Sequence, residues 1–184
     1  MNFTVMSDSI YMAIFGLDKV RWTNDAFQSL NSDECEHGWR FYSLPNGTMV
    51  PFYQSTRTIL QNGTTGLCSW PAAFKLAEFG YLNPELFKSS TVLELGSGIG
   101  AGGIFLSALT NTKCITLTDV NSEVLEILKK NAQAVEDRKI VVEELDWCSF
   151  DKEHINQMLT DLDLIVGADL LYDPSIFPAL VQER

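Results

Sequence analysis

From Thr91 onward the apolar positions switch repeatedly between two periods. Thr91 to Leu95 (TVLEL) is a near-continuous apolar run of the length of a buried strand. Residues 99–109 are apolar enough for a helix covered on most sides. Residues 113–118 read as a second strand. Residues 121–134 read as an amphipathic helix with Val124, Leu125, Ile127 and Leu128 on its apolar stripe. Residues 140–145 give a third strand, a polar helix is expected around residues 152–160, and residues 164–168 give a fourth apolar strand. Strand and helix alternate throughout, which predicts an α/β fold with a parallel sheet and helices on both faces.

Upstream the pattern differs. Residues 39–44 and 49–54 are extended runs rich in aromatic and β-branched residues, separated by Pro45-Asn46-Gly47. Asn-Gly is a strong hairpin signal because both residues tolerate positive φ. A β-hairpin is expected here, acting as a lid or a partner surface. Gly63-Thr64-Thr65-Gly66 is a loop leading into Trp70-Pro71, and Pro71 suits the first turn of a helix reaching about residue 79. Residues 1–37 carry only weak helical periodicity, near residues 25–30, and then a polar cluster with Asp33, Glu34, Cys35, Glu36 and His37. Side chains of adjacent residues diverge, so a solvated loop is expected there rather than a metal site. The division is therefore a segment 1–37 and a domain 38–184.

Charge narrows the partners. With 13 Lys plus Arg against 24 Asp plus Glu, the formal net charge is -11, and no basic run is present. Nucleic-acid binders usually carry a basic face, so no nucleic-acid partner is expected. Cys35, Cys68, Cys114 and Cys148 are scattered without a C-x-x-C pair, which fits reduced thiols in the cytoplasm rather than disulfides or zinc. The apolar stretch 11–17 is too short to span a bilayer and has no basic residue before it. A cytoplasmic monomer with no membrane association is expected.

In such folds ligands bind beyond the carboxyl ends of the strands, so the chemistry is sought there. The first strand runs into Gly96-Ser97-Gly98-Ile99-Gly100-Ala101, which fits the dinucleotide pattern G-x-G-x-x-G/A. Glycines let the backbone approach a ligand, and the following helix offers N-terminal N–H groups. Alone, the turn fits NAD as well as S-adenosylmethionine, or a tight turn that binds nothing. Two features favour the sulfonium cofactor. Glu94 can meet the amino group of a methionine moiety but would repel a pyrophosphate. At the third strand end, Asp146 can accept from an exocyclic amine, and Trp147 offers a face to an adenine ring. Asp119 ends the second strand 23 residues after Gly96, where an acid grips ribose hydroxyls. An NAD-linked oxidoreductase would also need a catalytic His, Tyr-Lys pair or Cys near the nicotinamide, and none is placed there.

The fourth strand supplies Gly167-Ala168-Asp169-Leu170-Leu171-Tyr172. Small residues at 167 and 168 leave room beside the cofactor, and Asp169 and Tyr172 fall where a transferred methyl would emerge. The stretch is not the Asn/Asp-Pro-Pro-Tyr arrangement that grips a planar base amine, which disfavours a nucleobase acceptor. Asp169 could instead cap a helix beginning near Pro174.

The combination Thr64-Thr65-Gly66-Leu67-x-x-Trp70, Thr91-Val-Leu-Glu-Leu-Gly-Ser-Gly, Leu145-Asp146-Trp147 and Ala168-Asp169-x-x-Tyr172 resembles the seven-β-strand lysine methyltransferases of the methyltransferase-21 group. Within that group it is most similar to the FAM86 subgroup, the elongation factor 2 lysine methyltransferases. The hairpin sequence Tyr42-x-Leu44-Pro45-x-Gly47 fits as well. The resemblance implies methyl transfer from S-adenosylmethionine to a lysine of a protein substrate, with elongation factor 2 first among candidates. It implies a cofactor site formed by Trp70, Glu94, Gly96, Ser97, Gly98, Asp119, Asp146, Trp147 and Ala168. Asp169 and Tyr172 are then the catalytic pair at the lysine channel, orienting the amine rather than acting as strong bases. Only four of the seven strands are readable before Arg184. The expectation is a Rossmann-like fold truncated after the fourth core strand, with 164–166 as an edge strand whose apolar faces are poorly covered. A cofactor- or partner-binding fragment without activity is the alternative.

Overall fold

The computed structural model describes residues 37–44, 47–55, 64–149 and 160–171, together with positions 153, 157, 158, 174 and 178. In chain order the elements are β1 (His37–Ser43), β2 (Met49–Ser55), α1 (Pro71–Leu82), α2 (Pro84–Phe87), β3 (Thr91–Leu95) and α3 (Ala101–Leu109). They are followed by β4 (Cys114–Asp119), α4 (Ser122–Ala134), β5 (Ile140–Glu144) and β6 (Leu164–Gly167). The expected α/β alternation is present from β3 to β6. The helix expected around 152–160 and the segment 1–36 lie outside the described residues, apart from isolated positions in the former.

The four-stranded sheet has the order β5-β4-β3-β6, and its three pairings are parallel. The chain enters in β3, steps outward to β4 and β5, then returns to the far side of β3 as β6. Strand order therefore reverses between β3 and β6, and a crevice opens at the carboxyl ends beside such a reversal. The crossovers through α3 and α4 run in the same direction. Right-handed connections place both helices on one face of the sheet. Among the described residues β6 is an edge strand, and Ile165 on it is 57% exposed.

The core lies between the sheet and this helical layer. Val92, Ile115 and Leu117 from the sheet and Ile104, Phe105, Val124 and Leu128 from the helices are buried. Asn121 starts α4 by accepting from the N–H groups of Glu123 (3.0 Å) and Val124 (3.1 Å), which satisfies two otherwise orphan donors.

The hairpin forms where expected, β1 pairing antiparallel with β2 from His37↔Ser55 to Ser43↔Met49. It is a packed layer, however, and not a lid. Alternation puts Tyr42, Val50, Phe52 and Gln54 on one face. Phe52 is fully buried with its ring centroid 5.1 Å from that of Phe105, and Tyr42 lies 5.6 Å from the same ring. Phe74 of α1 completes the cluster at 5.7 Å from Phe105. The hydrophobic gain of burying these rings holds the hairpin on α3, whereas a lid would need a face free to lift. Helix α1 runs to Leu82, three residues beyond the expected end, and Asn83-Pro84 then opens the short α2.

Candidate active site

All four strands of the sheet end at one cavity of about 450 Å³, a size that suits a small-molecule ligand. Its wall takes residues from the turn after β3, the ends of β4, β5 and β6, and the segment 64–70 that leads into α1. Of the residues expected from the sequence, Trp70, Glu94, Gly96, Ser97, Gly98, Asp119, Asp146, Trp147, Ala168 and Asp169 line it together. Tyr172 lies outside the described residues.

The turn after β3 is shaped by its glycines. Gly96 and Gly98 have φ of 58° and 55°, the left-handed region that costs a residue with a Cβ. A Cβ at Gly96 would also meet Leu170 at 2.8 Å and the Trp147 ring at 3.4 Å. The turn is tied to β4 by Ser97, whose N–H donates to the Thr118 carbonyl (2.7 Å) and whose hydroxyl accepts from the Thr118 N–H (3.1 Å).

Glu94 is 2% exposed, yet lines the cavity. Its Oε2 accepts from the Gly103 N–H at 3.1 Å, and the absence of side chains at Gly102 and Gly103 lets the carboxylate lie against the first turn of α3. Part of the N-terminal donor capacity of α3, expected to serve a ligand, is thus already used by Glu94. Burial pushes the Glu94 carboxyl up to about 7, opposed in part by the Ser97 hydroxyl and the Gly103 N–H. Among the described residues no Lys or Arg forms an ion pair with it.

Asp119 accepts from three backbone N–H groups. Its Oδ2 accepts from the Gly98 N–H (3.1 Å), and its Oδ1 from the N–H groups of Val120 (2.9 Å) and Asn121 (3.1 Å). It fixes the glycine turn relative to β4 and still faces the cavity. Asp146 accepts from the Cys148 N–H at 2.8 Å through Oδ1. Trp70 donates from Nε1 to the Thr65 carbonyl at 2.9 Å, closing the 64–70 segment into a wall. Asp169 is exposed with φ of 61°, a conformation that Asp tolerates better than most residues.

Two corrections concern space and lining. Gly167 does not border the cavity; a Cβ there would meet Leu170 at 2.5 Å, so its missing side chain makes room for Leu170. Leu170 in turn lines the cavity, as do Thr64, Thr65, Cys68 and Ser69. The Thr64 to Trp70 motif is the sequence signal for this wall, with Trp70 the one cofactor residue it points to.

The model of a family described as lysine methyltransferase matches residues 56–183. The human protein-lysine N-methyltransferase EEF2KMT is 34% identical over 167 residues, covering 84% of this chain and 49% of its own length. The protein-lysine N-methyltransferase EFM3 of Chaetomium thermophilum is 34% identical over 139 residues, covering 72% and 41%. The chain therefore spans about half the length of the curated relatives it matches. Among solved structures, M. jannaschii TYW2 in complex with AdoMet has a TM-score of 0.45 at 12% identity over 66% of this chain and 51% of that one. That likeness is too slight to add to the topology described above.

Proposed function

The chain belongs to the lysine methyltransferase family, and from that premise we propose that it moves a methyl group from S-adenosylmethionine to a lysine side chain of a protein substrate. The observation that carries this reading is the meeting of Glu94, Asp119, Asp146, Trp147 and Asp169, from four different strand ends, at one cavity beside the strand-order reversal. Elongation factor 2 is the first candidate substrate, on the resemblance of the motifs to its methyltransferases.

The residues fit the cofactor. Glu94 is a buried acid at the cavity wall without a cationic side-chain partner among the described residues, which suits the ammonium of a methionine moiety. Asp119 is the acid for ribose hydroxyls. Asp146, with Oδ1 taken by Cys148, has Oδ2 for an adenine amine, and Trp147 supplies an aromatic face. Ser97, Gly96, Gly98, Trp70 and Ala168 shape the remaining wall.

When bound, S-adenosylmethionine supplies a methyl group on a positively charged sulfur. The acceptor lysine, with an ordinary pKa of ~10.4, must shed a proton before it can attack. Removal from water lowers that pKa, whereas the charge of Asp169 raises it. Asp169 therefore serves to position the amine, and Tyr172 is assigned with it from the D-x-x-Y stretch.

Purified chain incubated with tritiated S-adenosylmethionine and elongation factor 2 is expected to label that protein. Prior acetylation of the substrate's lysines, which turns each amine into a non-nucleophilic amide, should remove the signal. Cofactor binding by calorimetry without label in any protein of a cell lysate would favour the cofactor-binding alternative. Absence of both would overturn the methyltransferase reading.

A further inference from the structure

Asn131 sits on α4, at a position where an amphipathic helix could have carried any apolar residue, yet it is fully buried. Its side chain makes three hydrogen bonds. Oδ1 accepts from the Tyr53 N–H at 2.7 Å, and Nδ2 donates to the Tyr53 carbonyl at 3.1 Å. Nδ2 also donates to the Ile99 carbonyl at 2.9 Å. One amide thus completes the outer edge of β2, as a neighbouring strand would, and holds the residue between Gly98 and Gly100 in the turn that borders the cavity. Lys130, the preceding residue, reinforces the grip from outside. Its ammonium lies 3.1 Å from the Tyr53 ring centroid and 5.3 Å from that of Trp39.

We propose that Asn131 is a positioning residue that couples the docking of the hairpin to the geometry of the cofactor turn. The inference rests on the cofactor reading above and adds a regulation of that site. Leaving this buried amide without its partners is costly, so its three hydrogen bonds tend to be kept together. A ligand that fixes the Gly96–Gly100 turn therefore fixes Ile99, Asn131 and, through them, β2. Reciprocity then requires that loosening β2 weakens the ligand. Hydrophobic contact alone, through Phe52 and Phe105, would hold the hairpin without transmitting the state of the turn.

The test is hydrogen exchange on the whole chain with and without saturating S-adenosylhomocysteine, read on peptides covering 49–55. The ligand is expected to slow exchange there, the Tyr53 amide above all. Asn131→Asp keeps the acceptor for Tyr53 but loses both donated bonds. It should abolish the slowing and weaken ligand binding about tenfold, within the usual range for coupled sites. Lys130→Met leaves the amide bonds intact and should preserve the ligand-dependent slowing, although basal exchange in β2 rises. Binding by calorimetry with unchanged exchange in 49–55 would overturn the coupling while leaving the cofactor reading in place. So would an Asn131→Asp chain that keeps both its affinity and the slowing. If the unaltered folded chain does not bind S-adenosylhomocysteine at all, both readings fall. Should Asn131→Asp not fold, the comparison in the unaltered chain still decides.

Discussion

Burial gives Glu94 an opposite preference in the empty and the occupied protein. With its carboxyl pushed up to about 7 from an ordinary 4.5, the unbound fold favours the neutral acid. That contribution is fully present below pH 4.5 and is lost as pH rises through 7, amounting to about 3 kcal/mol between those limits. A cationic ligand beside the carboxylate reverses the preference. S-adenosylhomocysteine, which carries the same amino group, should bind more tightly as pH rises from 6 to 8 and release a proton on binding near pH 6. Calorimetry in two buffers of different ionisation enthalpy measures the released proton. Glu94→Gln should remove it and make the empty protein more stable above pH 7. An unchanged proton count in that variant would mean that Glu94 does not meet the ligand's charge. At Asp169 the expectation is of another kind. Asp169→Ala should abolish lysine methylation while calorimetric cofactor binding survives, because the residue lies exposed at the cavity wall and no described backbone bond depends on its carboxylate. Loss of cofactor binding would make it a structural residue instead.

Among the elements, the hairpin separates what periodicity can and cannot convey. The Asn-Gly turn and the two flanking runs specify its existence, and Tyr42, Val50, Phe52 and Gln54 alternate clearly enough to mark one face. Nothing local says which surface that face will meet, so its burial on α3 becomes visible only through the contacts of Phe105. Phe52→Ala should accordingly cost about 3–5 kcal/mol in urea unfolding, the usual loss for a buried phenylalanine. A loss below about 1 kcal/mol would return the hairpin to the periphery. The parallel strands were legible for the opposite reason. TVLEL and its companions are short and bounded by turn residues, so their existence and length are local properties. Burial is not: β3 and β4 hold buried residues, but β5 and β6 do not. Asn131 falls on the apolar stripe by spacing, three residues after Leu128, but its partners were not legible, because Tyr53 and Ile99 are distant in sequence. The acidic strand ends were legible as chemistry, since Asp119 and Asp146 each stand where an extended run gives way to a loop. That Asp119 also ties Gly98 to β4 could be seen only in three dimensions.

For the whole molecule, the central question is whether the sheet, the helical layer and the hairpin respond to a ligand as one cooperative unit. The cavity draws on every strand of the parallel sheet and on the segment before α1, so a ligand there touches segments as far apart in sequence as Thr64 and Leu170. Binding only to the folded state stabilises by about 2.7 kcal/mol at a ligand concentration one hundred times the Kd. For a chain of this size each kcal/mol moves the melting temperature by about 2–4 °C. S-adenosylhomocysteine at that concentration should therefore raise Tm by about 5–10 °C in a single transition by differential scanning calorimetry. The transition should move as a whole, because the glycine turn is bonded to β4 through Ser97 and Asp119 and to the hairpin through Asn131. A ligand-shifted transition accompanied by a second, unshifted one would show that the hairpin and the cofactor half melt independently. An unshifted Tm at saturating ligand would mean that the cavity, although it has the residues, does not hold this cofactor.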